Sequence, residues 1–414
     1  MFEKIRSRYA FRRLQGSVWE SVSENYDWIC HWSDNCLVND RQGESIPCET
    51  ESVVARGNRL RSDVLGQFEN LFALWTQTRF LVHVPPPELS PAGFSFFSGL
   101  VSALNFMGIQ ARQLGWFEDI SDALDEFYPS IFLGSDSDLY LSRIDWDGLA
   151  TYRRRIPLLI GLTASPEIEG HTPLSRRLAW ARKTGIDFYY SFRAAEYTRQ
   201  RQEYEPFLSE GYPILSLEFG ANPLIHYPVT GPRKKVDYIF LGSTNYEKQA
   251  RYVAYLPEIL KNHEGFLAGP GWSFPREFNF EPARDRFIYA CGRVGLNLSI
   301  EEQLEVPCEL NERTYILAAC GIPQLLDNPA LLPMRFSSGA VFSAKTPREY
   351  TRLFRAILND EKAAQSKALC ALQEVFERHT IFHRLHAFLT ELGKLFPHLG
   401  QNGVNHHERS ASRS

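Results

Sequence analysis

Short apolar runs alternate with amphipathic stretches along most of the chain, beginning near residue 79. Phe80-Leu81-Val82-His83-Val84 is a compact apolar run closed by three prolines, and Phe94 to Gly108 then carries apolar residues at helical spacing. Further runs follow at Ser130–Gly134, Ile156–Gly161, Phe188–Tyr190 and Ile214–Leu217. Strands interleaved with helices in this way predict a parallel sheet covered on both faces. Tyr227–Lys235, rich in proline and basic residues, interrupts the pattern and reads as a linker.

A second alternation starts directly after it. Strands are expected at Val236–Gly242, Gly265–Gly269, Gly295–Ser299, Ile322–Asp327 and Ala340–Ser343, with helices over 247–261 and 312–320 and three more at the end. Gly321 stands where a left-handed residue closes the second of these helices. The fold class is therefore α/β, with two Rossmann-like domains expected to face a central cleft. The expected divisions are an accessory, mostly helical region over 1–77, a first domain over 78–230, a second over 231–400 and a disordered polar tail over 401–414. No repeat of fixed period is visible.

Composition narrows the picture. The chain has 414 residues, 44% apolar and 23% charged, enough to build two cores. Its formal net charge of -4 gives no global argument for nucleic acid or an acidic membrane. The basic first residues lead into no apolar leader segment, and no stretch has the ~20 apolar residues of a membrane span. Seven cysteines without a C-x-x-C pair argue against a disulfide framework and predict a cytoplasmic protein. Cys36, Cys48 and His31 lack zinc-type spacing, so no metal is assigned.

Ligands of open α/β sheets collect past the carboxyl ends of the strands. In the second domain those positions hold Gly242, Ser243, Thr244 and Asn245, then Gly269, Gly271 and Trp272, then Ser299 to Glu301, then Asn311, Arg313 and Thr314. Small residues let backbone approach a ligand, the start of the helix at Asn311 offers free N–H groups, and Arg313 adds a bidentate cation. The constellation suits a diphosphate. Each member also has an ordinary structural role: the glycines as turns, Trp272 as a core anchor, Arg313 as a surface ion pair. In the first domain His83, Asp136 with Asp138, and Glu167 are the candidates for an acid-base role toward an acceptor.

The segments VDYIFLGSTNYEKQARYVAYL, GFLAGPGW, VGLNLS, NERTYILAACGIPQLLD and FERHTIFHRLHAFL together resemble the carboxy-terminal domain of CgeB-like glycosyltransferases, part of the wider GT-B group. The resemblance covers about 160 residues, and YPILSLEFGANPLIHYPV is similar to the segment before the linker in that group. It implies transfer of a sugar, hexosyl in type, from a nucleotide-diphosphate sugar to an acceptor, with neither metal nor cofactor. By the same resemblance Gly242 and Ser243 would face the donor phosphates, Gly269 to Trp272 would border the base, and Asn311, Arg313 and Thr314 would meet ribose or diphosphate. Lys248 and Arg251 are the expected cations for the leaving diphosphate. His379, Thr380 and Arg384 lie at a corner that is either a hinge contact or plain packing.

One departure from the group stands out. The carboxylate expected four residues before the cysteine of the Ala-Cys-Gly turn is Ile316 here, and Glu309 or Glu312 would have to replace it from a neighbouring turn. A non-catalytic nucleotide- or protein-binding descendant is therefore the competing reading. An epimerase would need carboxylates that have no evident place, and a dehydrogenase would need a G-x-G-x-x-G after a first strand, which is missing.

Overall fold

The structure is a computed structural model, describing residues 2–42, 53–166, 172–199, 202–244, 246–272 and 280–400. Cys48, Glu167, Asn245 and the tail 401–414 lie outside the described residues. Two parallel sheets organise the chain. The first has the order β2-β1-β3-β4-β5-β6, built from β1 (Arg79–His83), β2 (Gln110–Leu114), β3 (Ile131–Gly134), β4 (Leu159–Thr163), β5 (Phe188–Ser191) and β6 (Ile214–Ser216). The second has the order β11-β10-β9-β7-β8, built from β7 (Val236–Leu241), β8 (Gly265–Ala268), β9 (Gly292–Leu296), β10 (Gln324–Leu326) and β11 (Phe342–Ser343).

The alternation of short apolar runs is thus an alternation of strands buried on both faces, as parallel sheets require. Residues of β3, β5 and β8 are buried throughout. β2 departs from the expectation, since Gln110-Ala111-Arg112-Gln113 gives no apolar run. It is an edge strand in which only Leu114 is buried. The helix expected over 247–261 is two, Tyr246–Tyr255 and Pro257–Asn262, because Pro257 brings no backbone N–H to continue the first. Helix Glu312–Ala319 ends as expected, with Gly321 at φ 68°.

The compact units divide the chain differently from the expected 1–77, 78–230 and 231–400. One joins the residues up to Leu65 to Phe219–Thr380; the other joins Gly66–Glu218 to the helix Ile381–Leu395. The first helix, Phe2–Arg41, is therefore no separate accessory element but part of the second sheet's unit. Its buried positions Phe11, Leu14, Val18, Val22, Tyr26, Ile29, Ser33 and then Cys36 with Leu37 follow at three- and four-residue spacing and form one stripe. Phe11 to Val22 pack with Tyr238, Phe240 and Leu267, whereas Tyr26 and Ile29 pack with Ile239, Phe266 and Ala268. Successive strand residues point to opposite faces, so this helix crosses over the edge strand β8 and touches both faces of the sheet. It thereby covers an edge that would otherwise present unpaired backbone groups.

Its far end is tied down by charge: Asp34 pairs with Arg284, and Asp40 pairs with Arg286 at 2.6 Å. Asp40 also accepts from the hydroxyl of Tyr227, whose ring lies between the guanidinium groups of Arg61 and Arg286. The expected linker is thus clamped within this unit. Among the described residues no helix is long and apolar enough to cross a membrane.

In the other unit, helix Ile381–Leu395 packs on helix Pro91–Phe106, with Phe382 stacked on Phe106.

Candidate functional site

Both sheets share the same strand pattern, in which the second strand lies outside the first and the third lies on the other side. The crevice at the carboxyl end of such a sheet opens between the first and third strands. In the second sheet those are β7 and β9, followed by Gly242 and by Asn297. Asn297 is the hub. Its Nδ2 donates to Thr314 Oγ1 at 2.9 Å, and its Oδ1 accepts from Asn311 Nδ2 at 2.9 Å and from Arg313 Nη1 at 3.3 Å. The loop after β9 is thereby joined to the start of helix Glu312–Ala319.

Arg313 lies across the crevice. Its guanidinium stands 4.7 Å above the Phe240 ring and against Gly242, where a Cβ would come within 2.0 Å of Nη2. A side chain at position 242 would push the guanidinium aside from this place. Among the described residues no carboxylate pairs with Arg313, whose hydrogen bond to neutral Asn297 aims the group without cancelling its charge.

Lys248 stands in the same electrostatic neighbourhood. Burial and then the charge of Arg313 bring its pKa down to about 8, while Glu309, Asp327 and Glu247 pull the other way. Arg251 is placed differently from the expectation of a cation for a leaving group. It holds the fully buried Asp327 through Nε at 2.9 Å and Nη2 at 2.8 Å, and Asp327 also accepts from the Ser299 backbone N–H. Arg251 therefore fixes the loops after β9 and β10 and presents no uncompensated charge.

Other expected contacts become structural for similar reasons. Thr314 is fully buried, and its backbone N–H is capped by Asn311 Oδ1. The start of that helix is closed partly on itself. Trp272 is buried, stacked on Tyr252 and donating to the Gly242 carbonyl at 2.9 Å, which makes it a core residue rather than a border for a base. Gly269 and Gly271 have φ of 135° and 85°, and a Cβ on either would strike the loop after β7, at the Gly242 carbonyl or at Thr244 Oγ1. They bring two loops together. Ser243 accepts from Tyr252 through its carbonyl and remains half-buried beside Gly242. Ile316 sits in an apolar cluster with Tyr289 and Leu317, while Glu309 accepts from Gln303.

Sequence reading missed Asn297 and Asp327, although both lie just past strand ends, the place where such residues are sought. It also missed Asp285, a buried carboxyl whose Oδ1 has no hydrogen-bond partner and which burial pushes up to about 8.

In the first sheet the corresponding crevice lies between β1 and β3, with His83 and Asp136 beside it. The His83 ring stacks on Trp116 at 5.0 Å and meets Tyr140 edge-on. It is buried, Nδ1 has no partner, and burial lowers its pKa to about 4, so the imidazole is neutral at neutral pH. Asp136 is locked. It pairs with buried Arg177 and accepts from Thr163 Oγ1 at 3.1 Å and the Ser165 N–H at 3.2 Å. Burial raises its pKa against the lowering pull of Arg177. A carboxylate so enclosed organises the loop after β3 and is not free to take a proton from an acceptor. Asp138 accepts from the Thr172 N–H.

His379 and Thr380 form a packed corner. The imidazole Nε2 lies 2.7 Å from the Arg335 carbonyl, and Thr380 bridges to Ala221. In the other unit Arg384 pairs with Glu218. Among the described residues no three metal-ligating side chains converge.

Comparison with known proteins fits this layout. Residues 251–390 match a family described as glycosyl transferase-like. No curated protein sequence matches the chain. A variant of the phage T4 β-glucosyltransferase in complex with UDP-glucose is similar with a TM-score of 0.51 and 11% identity, over 77% of this chain and 99% of that one. A glycosyltransferase from Rickettsia africae gives 0.49 and 10%, over 77% and 98%. HepE of Anabaena, in complex with UDP and glucose, gives 0.46 and 10%, over 77% and 100%. The two parallel sheets and the likeness to the phage enzyme show a fold of the GT-B kind, with two Rossmann-like units.

Proposed function

We propose that this protein is a glycosyltransferase that moves a hexosyl group from a nucleotide-diphosphate sugar to an acceptor, with the donor held by the second sheet's unit. The observation that carries the reading is Arg313. Among the described residues it has no carboxylate partner, and Asn297 aims it across a glycine at the β7–β9 crevice, with Lys248 in the same electrostatic neighbourhood. Phosphate oxygens are the natural occupants of such a place. The glycosyl transferase-like match over 251–390 supports the assignment, as does the UDP-glucose bound by the phage relative. The finer reading, a CgeB-like enzyme, is supported by the resemblance of the second-half motifs to that group.

In the proposed reaction the bond between the sugar's anomeric carbon and the diphosphate oxygen breaks. The bonding electron pair leaves with the diphosphate, and an acceptor hydroxyl oxygen forms the new bond to carbon. Negative charge grows on the leaving diphosphate, where Arg313 and protonated Lys248 stabilise it, so the chain's own cations do what a metal does elsewhere. The hydroxyl proton passes to a base on the acceptor side. His83, the expected base, is buried between Trp116 and Tyr140 with its pKa lowered to about 4, which argues against that role. A reducing, cytoplasmic setting agrees with six cysteines that form no disulfide among the described residues.

Incubation with a panel of UDP-, GDP-, ADP- and dTDP-hexoses tests the proposal. Slow release of nucleotide diphosphate from one donor, undiminished by a chelator and lost in Arg313→Ala, is the expected result. Tight binding of a nucleotide with no turnover of any donor would favour a non-catalytic binding module, the alternative to which the apolar setting of Ile316 points.

A further inference from the structure

The first helix brings more than packing to the carboxyl end of the second sheet. Arg8, Phe11, Arg12 and Gln15, on one face of that helix, line a cavity of about 260 Å³ with Gln249 and Gly271. Its polar walls are fixed. Gln15, buried to more than nine-tenths, donates from Nε2 to the Gly271 carbonyl at 2.8 Å, and Gln249 donates to the Thr244 carbonyl at 3.1 Å.

Arg8 and Arg12 stand one turn apart, so their charges face the same space and repel each other. Among the described residues neither has a carboxylate partner. The contrast with the other end of the same helix is sharp, since Asp34, Asp40 and Arg41 are all ion-paired there. Two guanidinium groups and two amides converging on one cavity, with no anion supplied by the described residues, make a site for an oxyanion. The wall at Gly271 belongs to the loop after β8, which lies against Gly242 and Thr244 of the loop after β7, so the cavity adjoins the Arg313 crevice.

We infer that this cavity binds a phosphate-type oxyanion, and that the first helix is thereby part of the ligand-binding apparatus. The anion is either free or carried by a nucleotide in the adjoining crevice. Only the second source rests on the proposed donor site.

Titration calorimetry at low ionic strength, with inorganic phosphate as the probe, tests the inference on the full chain. Wild type, Arg8→Gln/Arg12→Gln and Arg313→Ala are compared, with thermal melts to verify folding. Arg313→Ala, which lacks the crevice's own phosphate-binding group, is expected to keep the cavity's share of phosphate binding, and the double variant to bind about tenfold more weakly. Equal affinity in wild type and the double variant, or no binding by wild type at millimolar phosphate, overturns the inference. Repeating the titration in saturating UDP separates the sources: exclusion of phosphate by UDP assigns the cavity to the nucleotide's own phosphate, and binding alongside UDP assigns it to a separate anion. Failure of the donor assignment shows itself differently, as phosphate binding retained while UDP does not bind.

Discussion

The two sheets share a strand pattern and differ in the chemistry at their carboxyl ends. Past β7 and β9 the charge of Arg313 is left open among the described residues, held by a neutral amide, and burial lowers the pKa of Lys248 to about 8. Past β1 and β3 it is closed, because Asp136 and Arg177 neutralise each other in the interior and His83 is enclosed by Trp116 and Tyr140. The same architecture thus carries a cationic crevice in one unit and a neutral, aromatic one in the other. Function follows the residues placed at the switch point rather than the topology.

The comparison predicts separable effects, and the largest should fall on the closed side. Arg177→Ala leaves the Asp136 carboxylate buried without its partner and should cost about 3–5 kcal/mol of stability, read by denaturant unfolding. Nucleotide affinity per folded molecule should be unchanged. His83 adds a pH signature. Its pKa falls from the ordinary 6.5 to about 4 on folding, so the unfolded chain binds the extra proton first. Stability should therefore decline as pH falls from 6.5 toward 4, by up to about 3 kcal/mol from this residue, and His83→Gln should flatten that decline.

On the open side the effects should fall on binding. Arg313→Ala should weaken nucleotide diphosphate binding by about 1.5–3 kcal/mol, measured by calorimetry, while the melting temperature of the free protein barely moves. Gly242→Ala keeps every charge but pushes the guanidinium aside with a methyl group, and should reproduce part of that loss in affinity with little change in stability. The smallest effect is expected from Lys248. Its charge is lost as pH rises through about 8, so affinity should weaken a few-fold between neutral pH and about pH 9, and Lys248→Met should remove this dependence.

Legibility in the sequence followed the range of the interactions. The strands buried on both faces, the turn at Gly321 and Arg313 just past a helix start were all readable, since each is a local pattern. β2 was not, because an edge strand needs no apolar run. The role of Asp136 was hidden by distance along the chain, as its partner Arg177 lies on the far side of a strand and a loop. Arg251 read as a free cation until Asp327, seventy-six positions away, proved to hold it. Trp272 read as a ligand border because nothing local announced that Tyr252 and Phe11 would enclose it. The first helix carried a visible stripe of apolar residues, but which surface that stripe covers is a tertiary fact.

The most direct test of the open crevice is a thermal-shift series with UDP, GDP, ADP, CMP and dTDP on wild type and Arg313→Ala. A ligand that binds only the folded state raises the midpoint by mass action. One diphosphate should stabilise wild type and leave the Arg313 variant where it was. If no nucleotide shifts wild type at millimolar concentration, or if the Arg313 variant responds as fully as wild type, the crevice between β7 and β9 is not the donor site.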